Sequence, residues 1–304
     1  MAEGTTTRAL VLGGGGPVGI AWELGLAAGL AAGGVELRDA DRVIGTSAGS
    51  ITGAMLQSGE DPSVLVADVE QLVAGGAASS GADAVSSDGL ARFMELTFEG
   101  AAVDGAEAEA AHRRAIGTFA LGAETIPEDA FVDTIGGVLA ERPWPQGFAC
   151  TAVDAATGDF RVWDAEAGVP LERAVASSCS VPGVYPPVTI DGARYVDGGV
   201  RSALNADVAT GCDVAVVISV MVLELPPGID DPRIARLLGS MQAQVEALEA
   251  SGTEVALIVP DMEFLVLSGF GMSLMDFSLL DAAAASGQRL GRAEAERVAR
   301  VWNR

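Results

Sequence analysis

At two places in this 304-residue chain a short apolar run stops on a cluster of small residues and then resumes with helical periodicity. Arg8 to Leu12 (RALVL) is a β-type run that ends at four consecutive glycines, Gly13 to Gly16, and Ile20 to Ala32 then has the apolar spacing of a helix. Arg42 to Ile44 leads into Gly45-Thr46-Ser47-Ala48-Gly49, after which Ile51 to Leu56 resumes the helical period up to Gly59. Strand, small-residue turn and helix, used twice in succession, require parallel strands joined by helical crossovers. An α/β fold with a mainly parallel sheet is therefore expected. Both turns fall at the carboxyl ends of their strands, where such sheets place a ligand site.

Further along, residues at about 73–128 are rich in Ala, Gly, Ser and acids, with helix-like stretches such as AEAEAAHRRAIGTFAL, and are expected to form a helical insertion or lid. Phe148 to Val153 and Phe160 to Trp163 read as a hairpin turning at ATGD. Val175 to Val200 holds a proline-rich crossing and a second hairpin with its tip at Asp191-Gly192. The runs from Val214 and Val255 read as buried strands, and Met275 to Trp302 as a long amphipathic closing helix. No repeat or linker divides the chain, so a single domain over 1–304 is expected.

Charge and composition exclude whole classes of activity. The 42 acidic and 18 basic residues give a formal net charge of -24, which repels nucleic acid and anionic lipid head groups. There is no lysine, so P-loop phosphate cradling and Schiff-base chemistry are ruled out. Cys150, Cys179 and Cys212 are widely spaced and form neither a metal pattern nor a disulfide framework. The first residues lack the apolar segment of a secretory signal, and the longest apolar run, from Val214, falls well short of the ~20 residues of a membrane span. A soluble, cytoplasmic protein is expected.

The pentapeptide Gly45 to Gly49 fits G-x-S-x-G, in which a sharp strand-to-helix turn presents the serine, here Ser47, and the following helix directs its amino end at the reacting centre. Such a serine needs a base, usually a histidine held by a carboxylate. The only histidine, His112, sits in the acidic insertion beside Arg113 and Arg114, far in sequence from any strand end, and is expected at the surface. What remains is direct deprotonation by a carboxylate at a strand end. Asp191 and Asp197 both open Asp-Gly turns. Asp191 is the hairpin tip and reads as a turn former, whereas Asp197 ends the hairpin and is followed by Gly198 and Gly199, which let the chain turn away and leave the carboxylate uncovered.

GGGGPVG, GTSAG, ASSCSVP and DGG stand in the order and spacing seen in patatin-like phospholipases, and the chain resembles that family most strongly from Arg8 to Gly59 and from Val175 to Val200. The resemblance implies a three-layer α/β/α fold with no cofactor and no metal. It also implies a catalytic dyad of Ser47 and Asp197, within motifs that include Gly45, Gly49, Gly198 and Gly199. By the same resemblance, the backbone amides of Gly14, Gly15 and Gly16 serve the oxyanion, with Gly19 opening the helix. The implied partner is a lipid or other acyl ester, with at most transient contact with a membrane surface. One position departs from the family: Val18 stands where a basic residue is usual, which shifts the expected substrate toward a neutral ester.

Two other readings share these residues. An acyltransferase would use the same serine, aspartate and glycine loop. A dinucleotide-binding fold would use Gly14, Gly16 and Gly19 with Asp39 as the ribose acid, but Asp39 and Asp41 precede the only plausible second strand rather than follow it.

Overall fold

The computed structural model describes residues 6–66, 87–100, 103, 105–139, 142–225 and 230–304. Eight strands form one sheet: β1 (Arg8–Leu12), β2 (Arg42–Gly45), β3 (Phe148–Asp154), β4 (Phe160–Trp163), β5 (Val188–Ile190), β6 (Ala193–Asp197), β7 (Val214–Ile218) and β8 (Glu254–Ile258). Their order is β5-β6-β3-β2-β1-β7-β8, with β4 paired to β3. The run from β3 through β2, β1 and β7 to β8 is parallel, while the β3–β4, β3–β6 and β5–β6 pairs are antiparallel.

Beyond the arginines that open β1 and β2, the central strands are mainly apolar and buried because both faces of the sheet are covered. Leu10, Leu12, Val43, Val216 and Ile218 pack against α1 (Gly16–Ala32), α2 (Ala48–Leu56) and the terminal helix. Ala9, Val11, Ile44, Ala215 and Val217 pack on the other face against Leu238, Met241, Val245 and Leu248. The expected three layers are thus present, and both glycine turns follow the carboxyl ends of β1 and β2, adjacent parallel strands in the interior of the sheet.

Several boundaries differ from the sequence expectation. Helix α1 starts at Gly16 rather than Ile20, with Pro17 in its first turn, where a missing N–H costs nothing. Gly19 therefore lies inside the helix and does not open it. The terminal helix runs from Leu280 to Trp302, not from Met275, because Asp276 turns its carboxylate onto the Ser278 amide (2.9 Å) and caps a separate short turn at Phe277–Leu279. This helix crosses α1 at close range through small residues: a Cβ on Gly25 or Gly29 would strike the Ala284 or Gln288 carbonyl of the terminal helix.

The insertion contributes α3 (Ser87–Gly100) and α4 (Ala106–Gly122), and residues 73–86, 101, 102 and 104 of the expected span lie outside the described residues. Helix α5 (Glu128–Leu139) begins at the insertion's end and belongs to the main core through Phe131, Val132, Ile135 and Leu139. Among the described residues the remaining α-helices are α6 (Leu171–Ser178), α7 (Pro232–Ala250), α8 (Met262–Leu267) and the terminal helix, α9 (Leu280–Trp302). His112 is not a surface residue. It is half-buried where α4 meets α3, its ring lying where a side chain on Gly100 would be.

Candidate active site

Ser47 sits between the end of β2 and the start of α2 with φ 53° and ψ -118°, a backbone conformation that costs a non-glycine residue about 1–3 kcal/mol. The surrounding structure enforces it. The Ser47 amide donates to Ser178 Oγ (3.0 Å), and the Ser47 carbonyl accepts from Ser50 Oγ (2.6 Å) and Cys179 Sγ (3.3 Å). The two flanking glycines are required by space: a Cβ on Gly45 would meet the backbone of Gly49 and Ser50, and one on Gly49 would meet the Leu12 carbonyl. The Gly49 amide donates to the Gly13 carbonyl (3.0 Å), tying this elbow to the glycine loop after β1.

Asp197 ends β6 and is 3% exposed, and its own amide donates to the Ser180 carbonyl (3.0 Å). Oδ1 accepts from the Gly199 amide at 2.7 Å. Burial raises the carboxyl's pKa from 3.8 to about 7, against the lowering effect of the Gly199 N–H and of the Ser47 hydroxyl as hydrogen-bond donors. Oδ2 is buried and has no hydrogen-bond partner among the described residues. Catalytic hydrogen bonds in unliganded sites are often long and tighten when substrate arrives. Asp191, by contrast, is an exposed hairpin tip with φ 50°, followed by Gly192 at φ 81°, as a two-residue turn requires.

The glycine loop runs alongside. A Cβ on Gly14 would lie 3.3 Å from the Ser47 Cβ, so loop and serine are in contact. Its amides are not equivalent. Gly13 donates to the Ile218 carbonyl (3.0 Å) and Gly14 to the Ala203 carbonyl (2.7 Å), whereas the amides of Gly15 and Gly16 have no partner among the described residues. The Ala48 amide, first in α2, is likewise unpaired there. Gly16 has φ 59° and lies beneath the Leu274 carbonyl and Met275 Sδ. Gly19 merely packs near Val220 and Ala48, at ordinary contact distance.

Val18 is fully buried, and its amide donates to the Leu274 carbonyl (3.2 Å). The segment that reaches over Gly16 and Val18 carries an unusual surface for so acidic a protein: Met262, Val266, Phe270 and Met272 are 58–78% exposed. Among the described residues no group of three or more His, Cys, Asp and Glu is arranged to hold a metal, and no helix is long and apolar enough to cross a membrane.

Asp39 is in a short turn before β2, at the amino ends of the strands, while the glycine loop is at their carboxyl ends. With β2 four residues long, the two are separated by about 10 Å or more, the wrong end of the sheet for a ribose acid. The sequence reading did not single out Thr46, Thr151, Ser178 or Asn205, all fully or almost wholly buried beside the elbow. Thr46 and Ser178 had a signal, since they lie in GTSAG and ASSCSVP without an assigned role, and Thr151 and Asn205 had none.

A patatin-like phospholipase family model matches residues 10–210, a span that takes in the glycine loop, the elbow and the Asp197 turn. Among solved structures the chain is similar to the type III effector protein ExoU, at 14% identity and TM-score 0.41, covering 96% of this chain and 53% of that one. It is also similar to VipD from Legionella pneumophila, at 12% identity and TM-score 0.41, covering 91% and 67%. The chain thus spans about half the length of ExoU. No curated protein matches it.

Proposed function

Because the chain belongs to the patatin-like phospholipase family, we propose that it is a serine acyl-ester hydrolase in which Ser47 is the nucleophile and Asp197 the general base. The observation that carries this reading is the strained serine at the elbow together with a buried carboxyl, Asp197, that has one oxygen left unpaired among the described residues. Asp197 takes the Ser47 proton as Oγ attacks the ester carbonyl. The tetrahedral oxyanion is met by the amides of Gly15, Gly16 and Ala48, which have no partner among the described residues, while Gly14, whose amide is engaged with Ala203, supports the loop. Asp197 then returns the proton to the departing alcohol. A water, deprotonated by Asp197, attacks the acyl-enzyme, and the acid leaves as Ser47 regains its hydrogen. A carboxyl poised near neutrality suits a group that must gain and lose a proton in each half-reaction.

The apolar rim of Met262, Val266, Phe270 and Met272, on the segment that covers Gly16, supports a lipid acyl chain as the partner. The net charge of -24 and the buried Val18 favour a neutral or zwitterionic ester over an anionic one. The three free thiols suit a reducing compartment such as the cytoplasm. A fluorophosphonate probe followed by peptide mapping tests the proposal: the label is expected on Ser47, with turnover lost in Ser47→Ala and kept in His112→Ala. Labelling elsewhere, or an active Ser47→Ala protein, rejects it.

A further inference from the structure

Asn205 stands eight residues after Asp197, with its side chain wholly buried and its backbone left-handed at φ 52° and ψ 36°, a region that asparagine tolerates. Arg201 Nη1 donates to its Oδ1 at 2.8 Å, and Arg201 is itself held by Asp207 at 2.6 Å. That contact fixes the amide's orientation, so Nδ2 faces inward. There it meets the Ser202 carbonyl (2.7 Å), Thr46 Oγ1 (3.1 Å), the Gly198 carbonyl (3.3 Å) and Thr151 Oγ1 (3.4 Å).

Two N–H groups serve these four oxygens, and the shortest distances assign them to Ser202 and Thr46. With its oxygen thus accepting, the Thr46 hydroxyl donates to Thr151 Oγ1 (2.8 Å), and the Thr151 proton is left to the Gly45 carbonyl (3.4 Å). Donation therefore runs one way, from Arg201 through Asn205 and Thr46 to Thr151.

The chain of bonds joins two things the sheet does not pair. Strand β2, which ends at the Ser47 elbow, and β6, which ends at Asp197, are separated by β3 and so stand about 10 Å apart. Ser47 and Asp197 can approach only across the middle of β3, at Thr151, which lies between Cys150, the partner of Gly45, and Ala152, the partner of Asp197, and where Gly198 passes too close to leave room for a Cβ. Thr46 precedes the serine, and Gly198 and Ser202 belong to the turn after the aspartate. Burying this many polar groups costs more than an apolar contact unless every one is satisfied, and in return it fixes direction as apolar packing does not.

We propose that Asn205 is a positioning residue that sets the separation of Ser47 and Asp197 by bonding the elbow to the Asp197 turn. This rests on the assignment of Ser47 and Asp197 as the reacting pair. Asn205 does not touch substrate, so its loss should lower turnover and leave substrate binding alone; a misplacement on the order of 1 Å lowers rates by up to about 100-fold.

The test uses the full chain and p-nitrophenyl butyrate. Asn205→Gly keeps the left-handed backbone and removes the bridge; kcat per folded molecule is expected to fall about 10- to 100-fold with KM within about twofold, and fluorophosphonate labelling of Ser47 to slow in parallel. Thr151→Val should show the same split, and Thr151→Ser, which restores the hydroxyl, should recover most of the rate. If Asn205→Gly does not fold, the Thr151 pair decides. A wild-type kcat in folded Asn205→Gly, or equal rates in Thr151→Val and Thr151→Ser, overturns the proposal while Ser47→Ala remains inactive. An active Ser47→Ala protein instead overturns the assignment beneath it.

Discussion

Replacing Asp197 by asparagine removes a carboxyl that folding forces into a dry site, and the gain in stability should depend on pH in a definite way. The folded carboxyl has its pKa raised to about 7, against 3.8 when exposed, chiefly by burial. Between those values the native state holds a proton that the unfolded state has released, so stability falls as pH rises through the window from about 4 to about 7. Below it both states are protonated and the site contributes nothing; above it both are ionised and the full penalty applies. A difference of about 3 units at 1.36 kcal/mol each amounts to about 4 kcal/mol.

Asp197→Asn has no such penalty and keeps an oxygen to accept from the Gly199 amide. Urea unfolding of both proteins at about pH 5 and about pH 8.5 measures the contrast, with the variant more stable than wild type at the higher pH by several kcal/mol and far less so at the lower. Glu23, also buried with its pKa raised by burial, titrates in both proteins and cancels in the difference. A stability difference that does not change with pH would refute the reasoning, because it would mean that the carboxylate is not desolvated. The stabilised variant should have no turnover, and wild-type kcat/KM should rise with pH through about 7 as the base ionises.

Other consequences follow from the same geometry. Ser47→Gly should be more stable than Ser47→Ala by about 1 kcal/mol in thermal or urea unfolding, since glycine accepts φ 53° and ψ -118° without strain; the reverse order would show an unstrained elbow. Gly49→Ala should fail to fold or unfold at much lower temperature, because its Cβ meets the Leu12 carbonyl. Gly19→Ala should fold at least as stably as wild type, with about 0.5–1 kcal/mol available from helix propensity. Serine at Met262, Phe270 and Met272 together should raise KM for long-chain p-nitrophenyl esters and leave the acetate ester unchanged; equal effects on both would remove the acyl-chain role from that rim.

The features legible in the sequence were the local ones. A strand that must end, a turn with no room for a Cβ and a helix that must begin leave their mark in neighbouring residues, so the two glycine turns, the β3–β4 hairpin and the Asp191 tip stand where the pattern puts them. Local capping was harder to see: Pro17 moved the start of α1 forward, and Asp276 delayed the terminal helix, because each acts on backbone amides that an apolar period does not count. Tertiary structure alone decided which amides of the glycine loop are free, since the Ala203 carbonyl that occupies Gly14 comes from nearly 200 residues away. It also turned His112 inward against Gly100. Most of all it brought Thr46, Thr151 and Asn205 together, three ordinary polar residues that are 54 to 159 positions apart. A hydrogen bond depends on direction and on a few tenths of an ångström, and those are properties of the folded sheet rather than of any one stretch of chain.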